Sequence, residues 1–308
     1  MDETQKAIIK TLSFFDLFSY PLTKEEIFSY LWKTKTGTHL LSEKLTEMVD
    51  NKILVEKCGY YSLPDRDVDE NRRQHLLESE LKLKIARKAT KKISGIPFIV
   101  AIFVCNSVAF GTAEENSDID LFIVVKKGRL WLVRFFSNLI LLLFRLRVGK
   151  NHMGNKICLS FYLSESNLNL QNIKITSEDV YLVFWLATLL PIYDPQEIGK
   201  KIIKENSWFQ ELLPNFPESL SFYSKEVKNS RIKNFFKKIL EKTWQGSYGN
   251  LMEKQAREAQ KIKLKLSLKE QIAPNVVLDD TMLKFHENDR RREYYEKWRT
   301  EFTKFIKL

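Results

Sequence analysis

Residues 106–124 read NSVAFGTAEENSDIDLFIV. They place a small polar turn, a glycine and two alternating aspartates directly after the apolar run FIVAIFV at 98–104. A continuous β-rich run is the pattern of a strand covered on both faces. DIDLFIVV, ending at Val125, reads as a second strand. In a strand, residues two apart share a face, so Asp118 and Asp120 present both carboxylates on one side while Ile119 and Leu121 point into the core. Two like charges side by side repel each other, and a cation between them removes the conflict. Ser107 opens a short helical turn whose free backbone N–H groups can face an anion, and Gly111 permits close backbone approach. Oxygen ligands on a rigid strand beside an anion-binding turn suit Mg²⁺, or Mn²⁺, bridging protein and a triphosphate.

Outward from this stretch, an apolar helix spans about 130–146 and ICLSFYL at 157–163 is a third strand, which makes a small mixed α/β unit. A long helix over 67–94 precedes it. Its start is acid-rich and its end basic, as the helix dipole favours, and Leu76, Leu77, Leu81, Ile85 and Ala89 give it a buried stripe. Gly95 and Pro97 stop it.

The first 66 residues carry three helical patterns. The first holds Ile8, Ile9, Leu12, Phe15 and Leu17 and breaks at Tyr20-Pro21. The second opens on the capping box Thr23 to Glu26 and runs through Trp32. The third follows Gly37 with Leu41, Leu45, Met48 and Val49 on one face. ILVEKCGYYSLP at 53–64 is a hairpin around a Cys-Gly turn. Three helices and a hairpin predict a winged helix-turn-helix. The polar positions of its third helix include Glu43, Lys44, Glu47 and Asp50, a net negative face that would repel phosphates.

The remainder reads as helical, including DVYLVFWLATLLPIYD from Asp179 and long Lys-rich stretches around 235–268 and 289–305. The fold class is therefore α+β in three parts: a winged helix-turn-helix over 1–66, the α/β core with its connector helix over 67–175, and a helical C-terminal region over 176–308.

The 308 residues are 44% hydrophobic and 29% charged, which is ordinary globular composition and excludes a disordered chain. MDETQKAIIK places acids where a secretory signal carries basic residues, so a cytoplasmic location is expected. The apolar stretch 130–146 is broken by Arg134, Asn138 and Arg145, and 181–193 is short and contains Pro191; neither reads as a membrane span. Three scattered cysteines and four scattered histidines suggest neither a disulfide framework nor a zinc site. The net charge of +11 is concentrated in residues 225–308, which hold 21 basic and 12 acidic groups. That surplus suits an anionic partner, nucleic acid included, although a charge run is more often a solvated helix face.

VCNSVAFGTAEENSDIDLFIV resembles the signature of the DNA polymerase beta-type nucleotidyltransferase superfamily, at Ser107, Ala109, Gly111, Ser117, Asp118, Asp120 and Leu121. The chain is also similar to bacterial nucleotidyltransferase domain-containing proteins that join an N-terminal winged helix to this core, through GRLWLVRF from Gly128, KICLSFYL from Lys156 and FHENDRR from Phe285. The resemblance implies a metal-dependent transfer of a nucleoside monophosphate from a nucleoside triphosphate, with ATP expected, to an unnamed acceptor hydroxyl. Asp118 and Asp120 would hold the metal, and Asn106, Ser107 and Gly111 would hold phosphates.

Two departures stand out. Asn106 replaces the family's first glycine, a change that asparagine's tolerance of left-handed backbone accommodates. The third carboxylate that superfamily enzymes commonly present from a later strand is absent from ICLSFYL, which offers Ser160 and Tyr162. Glu165 is the nearest acid. Either it curls back as a third catalytic carboxylate, or water and nucleotide complete the metal shell, or activity is lost and the chain only binds nucleotide. Lys127 and Arg134 are candidates to neutralise a triphosphate. The alternative is a turn lysine and an arginine snorkelling from a core helix. His286 as a general base, and Trp131 or Trp208 as a base-stacking ring, compete with structural roles.

Overall fold

The Gln5 N–H donates to the Asp2 carboxylate and the Asp2 N–H to the Gln5 side chain, and this capping box opens α1 (Glu3–Asp16). The structure, a computed structural model, describes residues 1–65, 69–147, 154–217, 226–267, 276–285 and 289–306. After the short strand β1 (Leu22–Thr23), the expected Thr23–Glu26 capping box opens α2 (Lys24–Ser29). This helix ends before Trp32, whose N–H bonds the Thr11 hydroxyl while its ring is buried. α3 (Thr38–Asp50) and the hairpin β2 (Val55–Lys57) and β3 (Tyr60–Ser62) follow. Cys58 and Gly59 both take positive φ, 55° and 81°, as a tight hairpin turn between right-twisted strands requires. The three strands pair antiparallel in the order β1-β3-β2.

α4 (Asp69–Ile93) ties the N-terminal unit to the rest. Near its start the buried Arg72 guanidinium grips both Glu26 oxygens at 2.9 and 3.0 Å and bonds the Pro21 carbonyl. Then come β4 (Ile99–Val104), α5 (Asn106–Phe110), β5 (Ile119–Val125), α6 (Leu130–Leu143) and β6 (Ile157–Ser164). These elements lie where the sequence pattern puts them, but the stripe expected on α4 is displaced: Leu77 and Leu81 are exposed, and the helix turns Lys82, Leu83, Ala86 and Ile93 inward along with Ala89.

The region expected to be helical differs. α7 (Val180–Ala187) is followed by a strand, β7 (Leu190–Tyr193), then α8 (Ile198–Glu205), α9 (Arg231–Thr243), α10 (Gly246–Ser267), the strands β8 (Val277–Leu278) and β9 (Met282–Lys284), and α11 (Arg291–Ile306). β7, β8 and β9 join the core strands in one mixed six-stranded sheet, order β7-β4-β5-β6-β9-β8, in which only β5 and β6 pair in parallel. Pro191, which counted against a membrane span in the sequence, lies in an edge strand, where a missing N–H costs little. The C-terminal part therefore completes the core sheet.

Both faces of the sheet are covered. On one, Phe122, Val124 and Phe161 pack with α7 and the N-terminal unit, where Phe14 stacks on Phe184 at 4.4 Å between ring centroids. α11 closes this side, and its Trp298 donates to the Lys10 carbonyl at 2.8 Å. On the other face Ile119, Leu121 and Ile123 pack under α4 and α6. α10 lies over α6, and its buried Glu253 accepts the Trp131 and Leu132 N–H groups at 2.9 Å each, satisfying two donors that a helix start leaves unpaired.

Candidate active site

Asp118 immediately precedes β5, Asp120 is its second residue, and both are half-buried, whereas Ile119 and Leu121 are fully buried on the opposite face. The alternation read from the sequence thus aims the two aspartates at the side of the sheet that α7 and α11 cover. The Cys105 N–H donates to the Asp120 carbonyl at 3.1 Å, so the first turn of α5 starts beside the aspartates.

Asn106 begins α5 with φ of 57°, in the left-handed region. Its side-chain oxygen accepts the Trp185 indole N–H at 3.0 Å, so it is anchored to α7. Ser107 is half-buried, and its carbonyl accepts the Thr112 N–H at 2.9 Å. Gly111 ends α5 at φ 75°, and a Cβ there would lie 2.9 Å from the Tyr20 hydroxyl. The close approach this glycine permits is taken by a side chain of the N-terminal unit.

The loop 113–117, leading into Asp118, is held from α4. Lys82 is fully buried and its ammonium donates to the Glu115 and Ser117 carbonyls and the Asn155 side chain at 2.8, 3.0 and 2.8 Å. Burial pushes its pKa down, and Asp118 is among the acids that oppose the shift. Nothing in the sequence distinguishes this lysine from the other lysines of its helix.

β6 supplies the other neighbours of Asp120. A bulge in the β5–β6 pairing sets Asp120 opposite Cys158 and then Phe122 opposite Phe161, so three residues of β6 span two of β5. The Ser160 hydroxyl donates to Asp120 at 3.2 Å. Burial, and then the Asp120 charge, push the Cys158 thiol up to about 12.

Glu165 does not curl back. β6 runs parallel to β5, so its end leaves the site, and the Glu165 N–H bonds the Val125 carbonyl at 2.8 Å. Lys127 is exposed in the turn after that same end of β5. At the rise of a strand, both stand roughly 15 Å or more from Asp120. Arg134 lies on α6, on the other side of the sheet, with its guanidinium 4.2 Å from the Phe285 ring centroid and 2.6 Å from the Gln260 side chain. Burial lowers its pKa. Trp131 is buried in the core beneath α10, and Trp208 donates to Asn206 at 3.1 Å with Lys174 over its ring. His286 falls outside the described residues.

The cations near the motif come from elsewhere. A pocket lined by Asn106, Phe161, Tyr181, Trp185, Lys284, Asp289, Arg290, Arg291 and Tyr294 opens beside the first turn of α5. Tyr181 and Tyr294 stack with ring centroids 5.2 Å apart. Arg291 bonds Asp179, the N-cap of α7, at 2.7 Å and also grips Asp289, while Lys284 bonds Asp289 at 2.7 Å. Burial works against the Asp289 charge, but the Arg291 and Lys284 hydrogen bonds outweigh it and hold the carboxyl well below its usual range. Arg290 is held by Glu293 at 2.8 Å, so the three cations at the pocket are paired with three carboxylates, Asp289, Asp179 and Glu293. Asp289, Arg290 and Arg291 belong to the FHENDRR stretch, where no local pattern marks them for a pocket beside Asn106.

The donor set fits a hard divalent cation in part. Asp118 and Asp120 offer the carboxylate oxygens that Mg²⁺ takes, but no cluster of three or more His, Cys, Asp or Glu suited to a metal occurs among the described residues. Mg²⁺ keeps several waters in its shell, so two carboxylates with water and phosphate oxygens are sufficient. No helix among the described residues is long and apolar enough to cross a membrane.

No curated protein and no solved structure matches the chain. Residues 83–242, more than half of the chain and running well past the expected core boundary at 175, match the nucleotidyltransferase domain, and the chain belongs to that family.

Proposed function

We propose that the protein is a Mg²⁺-dependent nucleotidyltransferase that moves a nucleoside monophosphate from a nucleoside triphosphate, ATP by preference, to an acceptor hydroxyl. The observation that carries this reading is the placement of Asp118 and Asp120 at the start of β5, next to the first turn of α5 and a pocket lined by Lys284, Arg290 and Arg291. Asp118 and Asp120 would hold Mg²⁺ or Mn²⁺, which lowers the pKa of an acceptor hydroxyl and neutralises charge developing on the phosphoryl group. Lys284, Arg290 and Arg291 face the pocket and bind phosphate oxygens by charge-assisted hydrogen bonds. The aromatic wall of Tyr181, Trp185 and Tyr294 offers ring surface to a base and excludes water. Lys82, through the 113–117 loop, keeps Asp118 in position.

The N-terminal unit is read as a winged helix that meets a partner other than DNA. The exposed positions of α3 include Glu43, Glu47 and Asp50, which disfavour a phosphate backbone. Gly111 and Tyr20 seat this unit against the end of α5, which supports a role in shaping the site.

The test is incubation with α-labelled nucleoside triphosphates and Mg²⁺ or Mn²⁺ in cell extract, beside the Asp118→Asn, Asp120→Asn double variant. Label transfer that the variant loses is the expected result. Ser160 beside Asp120, where a third acid is common, favours a second reading in which nucleotide is bound without turnover. Metal-dependent nucleotide binding with no transfer under any condition would establish that second reading against the first.

A further inference from the structure

Helix α9 is amphipathic, but its polar face is the one turned toward the protein. Lys237 is buried, and its ammonium donates to the Ser94 and Ile99 carbonyls and the Tyr193 hydroxyl at 3.2, 2.5 and 3.3 Å. One turn earlier, Lys233 bonds the Lys91 carbonyl at 2.6 Å; one turn later, Glu241 accepts the Phe98 N–H at 2.8 Å and pairs with Lys126. Three polar anchors at i, i+4 and i+8 fix the rotation of the helix. The stripe Ile232, Phe235, Phe236, Ile239 and Leu240, whose spacing ordinarily marks a core-facing side, is therefore exposed, with Ile232 at 70% and Phe235 at 61%.

The outer face of α6 also exposes large apolar side chains. Phe135, Leu139, Leu142, Leu143 and Phe144 are exposed there. Two contacts link the surroundings of α9 to α6. Trp244, just after α9, stacks on Phe136 at 5.5 Å, and Lys92, next to the Lys91 that Lys233 bonds, has its ammonium 4.1 Å from the Phe144 ring centroid. An apolar surface with this many large side chains exceeds what isolated surface residues produce, and so marks an interaction site.

The charge around it selects the partner. Lys91 and Lys92 on α4, Arg145 after α6, and Arg231, Lys238 and Lys242 on α9 are all exposed. Residues 81–93, 130–147 and 231–243 contain a single acid, Glu241, and it is turned inward onto Lys126. Apolar side chains flanked by these cations, with no exposed acid on the three segments, complement a surface that is anionic outside and apolar beneath. A second copy would bring the same cations against each other, because a two-fold contact uses the same patch twice.

We propose that α9 and the outer face of α6 form a docking surface for an anionic lipid bilayer, lying in the headgroup layer with the Phe235–Phe236 edge inserted. This leaves the pocket beside Asn106, on the other face of the sheet, accessible from the water side. The test is flotation of the full chain with vesicles of phosphatidylcholine alone and of phosphatidylcholine mixed with phosphatidylglycerol. The wild type floats with the mixed vesicles only, and less as salt rises. The variants Phe235→Ser with Phe236→Ser, and Arg231→Glu with Lys238→Glu and Lys242→Glu, each lower the bound fraction at least about tenfold. All of these positions are exposed, and circular dichroism with an unchanged melting curve verifies the fold. Absence of flotation with mixed vesicles at low salt overturns the proposal, as does flotation that the serine variant leaves unchanged. A wild-type dimer in light scattering that the serine variant converts to monomer, with no vesicle binding, assigns the face to self-association and also overturns it.

Discussion

The Ser160 hydroxyl lies 3.2 Å from a carboxylate oxygen of Asp120, on the strand that pairs in parallel with β5. The bulge in this pairing turns Ser160 toward the aspartate, so β6 offers a hydroxyl where a third acid would supply a metal ligand. Replacing it tests whether that position faces the metal. Ser160→Asp places a third carboxylate beside Asp118 and Asp120, and their repulsion lowers the melting temperature in metal-free buffer. Mn²⁺ then restores stability more in the variant than in the wild type, and transfer of labelled nucleotide rises by about tenfold. Melting curves with and without Mn²⁺ check the first effect. A variant that gains nothing from Mn²⁺ places Ser160 outside the metal shell.

Lys82 holds the 113–117 loop with three hydrogen bonds from a fully buried ammonium. Lys82→Met keeps the packing of the stem but leaves two carbonyls and the Asn155 side chain without this donor. The expected cost is on the order of 2 kcal/mol, since hydrogen bonds from a charged donor are lost while the partly exposed acceptors regain water. Because the loop leads into Asp118 and does not line the pocket, kcat falls while KM for the nucleotide changes little. Urea denaturation and steady-state kinetics check the two halves, and a KM rise matching the kcat loss would assign Lys82 to substrate binding.

The aspartate pair was legible in the sequence because strand alternation is a local rule: Asp118, Ile119, Asp120 and Leu121 carry their own facing. The hairpin turn at Cys58-Gly59 and the Thr23 capping box were legible for the same reason. β7 was not, since LLPIY continues an apolar helical run and becomes a strand only by pairing with β4, about ninety residues earlier. The direction of β6 decided Glu165, because a parallel partner carries its C-terminal end away from the site, and strand direction is a property of the fold. The pocket's cations are not legible locally, because Lys284, Arg290 and Arg291 reach it from the end of β9 and the start of α11, far along the chain from Asn106. The inverted face of α9 was equally hidden: its periodicity states that one side is apolar, but only the partners of Lys237 tell which side is inward.

Asn106 combines a left-handed backbone with a hydrogen bond from Trp185. Asn106→Gly keeps the backbone conformation and loses the bond, which costs about 1 kcal/mol. Asn106→Ala loses the bond and also strains the backbone, for a total of about 2 kcal/mol. The glycine variant is therefore the more stable of the two, although glycine is ordinarily the worse residue in a helix. Urea midpoints for both variants check the order, and an alanine variant at least as stable as the glycine one removes backbone conformation from the account.

Asp289 joins Arg291 and Lys284, and so links α11 and β9 at the pocket. Its folded pKa lies below the ordinary 3.8, so below that value the unfolded chain binds more protons than the folded one. The stability this carboxylate contributes is therefore complete above pH 3.8 and is lost progressively as pH falls below it. Asp289→Asn removes the charge at every pH. At neutral pH the variant is less stable by roughly 3 kcal/mol, because Lys284 and Arg291 are left buried with one partner fewer. As pH falls below 3.8 the wild type loses the same contribution and the two unfolding curves converge. Urea midpoints of both proteins at neutral pH and about one unit below 3.8 measure this. A stability gap that stays constant across that interval means the Asp289 carboxyl titrates alike in the folded and unfolded chains, and the ion pairs then contribute no net stability at the pocket.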